Sequence, residues 1–243
     1  MVQKENEGCV EVYVLAPGIR ISFNQINTSS WPKGDSSFFP ERMLTLNFCI
    51  GGRCDVSLAQ NRYAIVKEQQ VCVSTIRPTK DFYYPGKHYY GIQFYLDLSE
   101  LERCGGQDFL TLLGIPLCQL RDIFCGADGL YLHHMNDAML SLVQDTWASR
   151  EELDFGQLRY FMVRLLHELL SMPSESEPDA YFTRSQIAIV REAEALILSD
   201  LSKRVTAREM AERFGISESS FKFYVKGILG ESYLAYFRRK RME

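Results

Sequence analysis

VTAREMAERFGISESSFKFYVKGILGESYLAYFRRKRME, residues 205–243, decides how the rest of this 243-residue chain is read. Thr206 is a good helix N-cap, and Glu209 stands three residues later, the capping-box spacing. Met210, Ala211 and Phe214 then share one apolar face at helical spacing. Gly215 breaks that helix, because a residue without a Cβ enters the left-handed region freely. Ile216 plugs the turn, and Ser217 caps a second helix whose apolar residues are Phe221, Tyr224, Val225 and Ile228. Gly230 ends it. SYLAYFRRKRM (232–242) reads as a third helix, with Leu234 and Phe237 inward and Arg238, Arg239, Lys240 and Arg241 clustered at its end. Two short helices joined by a Gly-containing turn are the form in which a second helix enters the DNA major groove. The basic cluster either complements the helix dipole or meets phosphates. Its position directly after a helix-turn-helix favours phosphates.

Residues 183–243 resemble the first half of an AraC/XylS-family DNA-binding domain. The matching positions are Thr206, Ala211, Gly215, Ile216, Ser217, Lys226, Gly230, Tyr236 and Arg241, and the resemblance covers about a quarter of the chain. It implies a first helix, here about 185–199, packed on the helix-turn-helix. It also implies a connector helix starting near Arg241 and Met242 and leading to a second helix-turn-helix, which this sequence does not reach. The expectation is therefore a truncated regulator, with a naturally short regulator or a fragment as alternatives. On the second helix, Ser219, Ser220 and Phe223 are placed to reach base edges and Lys222 and Lys226 to meet phosphates. No arginine stands early in that helix, a departure from base-reading helices.

Charge supports a division. Residues 181–243 hold twelve Lys/Arg against eight Asp/Glu, a net of plus four; the whole chain is minus four, which leaves minus eight on residues 1–180. A basic end on an acidic body suits a nucleic-acid module joined to a part that does not bind DNA. The polar start MVQKENEG shows no signal peptide, and the most apolar helix is interrupted by Arg164, His167 and Glu168, so the expectation is a cytoplasmic protein without a membrane partner. Cys9, Cys49, Cys54, Cys72, Cys104, Cys118 and Cys125 form no C-x-x-C pair and read as reduced, mostly buried thiols. A redox pair of Cys49 and Cys54 is disfavoured, because residues five apart on a strand face opposite ways.

The first hundred residues read as short strands: VEVYVLAPG, IRISFNQIN, MLTLNFCIGG, CDVSLAQN, QQVCVSTIR and HYYGIQFYLDL. Leu44, Leu46 and Phe48 alternate with polar positions, while Gly51-Gly52 and Gln60-Asn61 are turn signals. By themselves the strands say antiparallel β. Ahead of an AraC-type module, they resemble that family's cupin-like sensor domain. A cupin enzyme would need a His-x-His pair and a distant His for its metal. The four histidines (His88, His133, His134 and His167) contain no such pair, and the adjacent His133 and His134 fall at the start of a helix and diverge. No cofactor, metal site or catalytic motif is indicated, so a cupin enzyme is the weaker alternative.

A sensor still needs a ligand. The candidates are Trp31, Tyr83, Tyr84, His88 and Tyr90, with Phe38, Phe39 and Tyr89 beside them and Arg42, Arg53 and Arg77 available to an anion. Trp31 sits in TSSWPKGDSSFFPER, which resembles the arm of family sensors. Helices follow: DFLTLLG, HHMNDAMLSLVQDTWASREE and DFGQLRYFMVRLLHELLSM. In the last, Leu158, Phe161, Leu165 and Leu169 are expected to form a dimer interface, the role this position has in the resembling family. MPSESEPDAYF, 172–182, reads as a solvated linker.

The expectation is thus an α+β chain: a cupin-like β-barrel or sandwich sensor (1–107), a helical dimerisation segment (108–171), a linker (172–182) and an all-α helix-turn-helix module (183–243). Its function would be that of a homodimeric, ligand-responsive transcription regulator with a small-molecule effector and double-stranded promoter DNA as partners. The alternative is an antagonist that pairs with a full-length relative without binding DNA.

Overall fold

The computed structural model describes residues 2–4, 7–32, 40–57, 62–79, 81–126, 129–176, 181–201 and 205–242. Contacts divide the chain into residues 1–59 with 64–180, the first unit, and residues 60–63 with 181–243, the second. Among the described residues, no helix is long and apolar enough to cross a membrane.

The first unit is built on antiparallel strands. β1 (Val2–Lys4), β2 (Gly8–Ala16), β3 (Ile19–Ile26), β4 (Ser30–Trp31), β5 (Met43–Ser57), β6 (Arg62–Lys67), β7 (Gln70–Ser74), β8 (Phe82–Tyr83) and β9 (Tyr89–Asp97) come first. The helices α1 (Leu98–Arg103), α2 (Gly106–Leu112) and α3 (Leu117–Cys125) follow. β10 (Leu130–His134) then returns to the sheet before α4 (Asp137–Ala148) and α5 (Phe155–Leu170). The strand order runs β1-β2-β3-β9-β5-β6; β7 bridges β5 and β10, and β8 bridges β5 and β4.

Alternation gives this sheet two unlike faces. Register aligns Ile21, Phe94, Leu46, Val73 and Tyr131 in one row, and Phe23, Ile92, Phe48 and Val71 in the next. All of them are essentially sealed from solvent, and they pack on α3, α4 and α5 as the main core. Leu158, Phe161, Leu165 and Leu169 of α5 lie in that core at 0–4% exposure, with the Phe161 ring 5.8 Å from that of Phe94. The expectation that these four form a dimer interface is therefore corrected: the sheet already covers them, at about 1.5–3 kcal/mol of transfer free energy each. Their periodicity said that they are buried, not against what.

Four further expectations change. Gly51-Gly52 is not a turn. β5 runs straight through it with a bulge between Cys49 and Gly51, where a Cβ on Gly52 would sit 2.1 Å from the His88 carbonyl oxygen. The extra residue puts Cys49 and Cys54 into one buried cluster rather than on opposite faces. His133 and His134 belong to β10, not to a helix; Asn136 caps α4 instead, accepting from the Met139 N–H at 2.8 Å. The segment 172–176 is tied down rather than solvated, since Met172 joins the core and Pro173 accepts a hydrogen bond from the Tyr131 hydroxyl at 2.8 Å. Residues 177–180, the expected turn at Gln60-Asn61, and Phe38 and Phe39 of the expected arm lie outside the described residues.

The second unit holds β11 (Tyr181–Thr183), α6 (Arg184–Ser199), α7 (Ala207–Arg213), α8 (Glu218–Leu229) and α9 (Tyr233–Met242). Capping boxes open α6 at Thr183 and Gln186 and α7 at Thr206 and Glu209. Gly215 (φ +65) makes the turn to α8, and Gly230 (φ +82) ends that helix. Val190, Met210, Phe221, Val225, Ile228 and Phe237 form its interior. The Tyr236 hydroxyl donates to Glu194 and ties α9 to α6. Leu234, expected inward, is 56% exposed; Tyr233 takes the inward place, its hydroxyl donating to the Val205 carbonyl at 2.8 Å.

Candidate functional site

Two places in the chain can do chemistry of recognition. The first is a cavity of about 170 Å³ in the first unit. It lies on the face of the sheet that the helices do not cover. Tyr95, Thr45, Ser74 and Leu130 line it from one register row; Gln93, Asn47 and Cys72 line it from the next. Val10, Val12, Val56, Ala64 and Val66 supply apolar walls, and Trp31 and Tyr84 complete it. Strand alternation explains the split: Leu44, Leu46 and Phe48 point to the helices, while Thr45 and Asn47 between them point to the cavity.

The polar groups there are neutral. The Tyr89 hydroxyl donates to Asn47 Oδ1 at 2.6 Å, and its ring lies 5.1 Å from that of Tyr84. Burial pushes the Tyr84 and Tyr89 hydroxyls well above the ordinary tyrosine range and the Tyr95 hydroxyl up to about 12. Burial likewise holds the Cys54 thiol well above its usual range, and that of Cys72 at about 12. These thiols stay protonated and unreactive near neutrality. Among the described residues, no group of His, Cys, Asp and Glu side chains is gathered in a way that could hold a metal ion.

Of the residues expected at the ligand, Trp31, Tyr84 and Tyr89 line the cavity. Arg42 does not: it is exposed and paired with Glu102. Tyr83 is 38% exposed, and the His88 ring lies 5.3 Å from that of Tyr90, tilted against it. Tyr90 faces the helices, its ring 5.5 Å from that of Trp147, because it alternates with Tyr89. Arg53 is locked to Asp55 by bonds of 2.6 and 2.9 Å, and Arg77 donates to the Pro40 carbonyl. Sequence reasoning missed Asn24, Asn47 and Gln93. Their signal was a polar residue recurring between apolar ones on central strands.

The second place is the exposed side of α8. Phe221, Val225 and Ile228 face inward, which leaves Ser219, Lys222, Phe223 and Lys226 exposed at positions i, i+3, i+4 and i+7, one stripe of the helix. The Ser217 hydroxyl caps the helix by accepting from the Ser220 N–H, and it also bonds the hydroxyls of Ser219 and Ser220, so Ser220 belongs partly to the cap. Lys222 is paired with Glu218 at 2.6 Å. The Phe223 ring lies 5.9 Å from that of Phe182. In α9, Arg239 is held by Glu231 at 2.7 Å, and Arg241 lies over the Phe237 ring. Lys240 is half-buried. Lys226 and Arg238 are exposed and have no ion-pair partner among the described residues.

No protein-family model matches this sequence, and no curated protein matches it. Solved structures similar to the chain include the AraC-like transcriptional activator CuxR, at 12% identity and a TM-score of 0.39, covering 96% of this chain and 78% of that one. ToxT from Vibrio cholerae is similar at 7% identity and a TM-score of 0.38, covering 90% and 98%. A Cupin 2 conserved barrel domain protein from Salinispora arenicola CNS-205 is similar at 12% identity and a TM-score of 0.31, covering 42% and 85%. The family in the description of CuxR is the one that residues 183–243 resemble in sequence. At these scores the likenesses carry no weight of their own, and the functional conclusion rests on the chain's own side chains.

Proposed function

We propose that the chain is a ligand-responsive, DNA-binding transcription regulator in which a cupin-like sensor unit carries a helix-turn-helix reader. The observation that supports it most is the stripe of Ser219, Lys222, Phe223 and Lys226 on a capped helix that follows a glycine turn. Ser219 donates or accepts at a base edge, and Phe223 meets a thymine methyl group. Lys226 and Arg238 meet phosphates. Lys222 joins them once its partner Glu218 is exchanged for a phosphate. An effector occupies the cavity of the first unit. To change output, it must bind two states of the protein differently. Pairing of two chains would set two readers about one helical turn, roughly 34 Å, apart on DNA. Leu158, Phe161, Leu165 and Leu169 do not supply that pairing surface.

A fluorescence-anisotropy titration on the chain's own upstream DNA and on scrambled DNA, at several salt concentrations, tests this. Tighter binding to the upstream DNA, with affinity falling as salt rises, is expected. Equal affinity for both DNAs would overturn it.

A further inference from the structure

We propose that the cavity of the first unit takes a neutral molecule about one ring in size, bearing a single amide, carbonyl or hydroxyl group, and discriminates against carboxylates and sugars. This deepens, and rests on, the reading of the first unit as an effector sensor. Size comes first. A cavity of about 170 Å³ is close to the roughly 150 Å³ that accommodates benzene in a protein interior. A long acyl chain or a two-ring acid would reach beyond it.

Charge comes second. Among the described residues, none that lines the cavity carries a charge. The arginines that could meet an anion are engaged elsewhere: Arg42 by Glu102, Arg53 by Asp55, and Arg77 by a carbonyl. Arg20 lies over the Tyr95 ring, 5.8 Å from its centroid, without joining the lining. Burial already holds the thiols and phenols of the lining in their neutral forms, and it penalises a carboxylate in the same way.

The third observation is a set of amides with spare capacity. Gln93 sits directly opposite Asn47 in the register, and Asn24 lies on the same face one row along. Asn47 accepts from Tyr89 through its carbonyl, which leaves its NH₂ to donate. The side chains of Asn24 and Gln93 have no hydrogen-bond partner among the described residues. Each amide both donates and accepts, so together they satisfy one neutral polar group and hold its ring against the valines. A sugar would bring several hydroxyls at once, more than the three amides satisfy, because the hydroxyls of Thr45, Ser74 and Tyr89 already donate within the protein.

Benzamide and benzoate, nearly equal in size and different in charge, make the test. The chain holds two tryptophans, so Trp147→Phe leaves Trp31, in the cavity wall, as the single reporter. In that background, saturable change of Trp31 emission is expected with millimolar benzamide, and at least about tenfold weaker response with benzoate and glucose. Ala64→Leu, which fills the cavity, is expected to abolish the benzamide response with a cooperative melt retained. If it fails to fold, Gln93→Leu is expected to weaken benzamide while leaving benzene, which has no polar group, unaffected. Benzoate or glucose binding as tightly as benzamide would overturn the proposal, and so would silence of Trp31 to every neutral ring. Silence together with selective DNA binding would overturn the ligand class alone. Benzamide binding without DNA selectivity would leave the ligand class standing and remove the regulator.

Discussion

Gly227 shows how a single residue can invert a general rule. A glycine inside a helix normally costs about 1 kcal/mol relative to alanine. In α8, however, a Cβ at Gly227 would lie 2.1 Å from the Phe182 ring, and Phe182 is 1% exposed. Gly227→Ala is therefore expected to destabilise the second unit by about 1–3 kcal/mol, read as a lower thermal midpoint. Adding Phe182→Leu should restore part of the loss. A higher midpoint for Gly227→Ala alone would refute this packing. Nothing in the local sequence announces such a contact, because its partner stands forty-five positions away. Gly215 and Gly230 were legible for the opposite reason: their left-handed backbone is a local need, signalled by the caps on either side.

Among the elements, α7 and α8 were read closely from sequence because capping and apolar spacing are local signals. On the proposed reading, Ser217 and Ser219 separate stability from recognition. Ser217→Ala removes the α8 cap and is expected to cost about 1 kcal/mol, whereas Ser219→Ala should leave the midpoint unchanged and alter preference among DNA sequences. On the same stripe, Lys226→Ala should weaken all sequences alike and lower the salt slope by about one. Phe223→Ala should instead change which sequences are preferred. Competition binding against a small set of base-substituted sites distinguishes these outcomes. Identical effects on every site from Phe223→Ala would remove it from base contact. The strands were legible as strands, but their faces were not. The aromatic run 82–90 looked like one pocket wall until alternation sent Tyr89 to the cavity and Tyr90 to the helices. β10 was missed because a five-residue strand framed by helices has too little pattern to stand out. The apolar stripe of α5 was right about burial and wrong about the partner.

Across the whole molecule, the first 180 residues are acidic and the remainder is basic. The first unit also gathers hydroxyls and thiols that burial keeps neutral. Their proton affinities in the folded state lie above those in the unfolded chain, so the stability they contribute is complete below the ordinary thiol value of 9.0 and is lost as pH climbs toward about 12. The urea midpoint, followed by Trp emission, should be level from pH 7 to 8.5 and fall steadily above about 9. A level midpoint up to pH 11 would show that these groups are reached by water. The two-faced sheet has a further consequence for how such a protein changes over generations. Along β5, positions 44, 46 and 48 belong to the helix-facing core and positions 45 and 47 line the cavity. If the first unit senses a ligand as proposed, substitutions taken in steps of two would retune which molecule it takes while the helix-facing core stays unchanged, so ligand preference could drift with little loss of foldability.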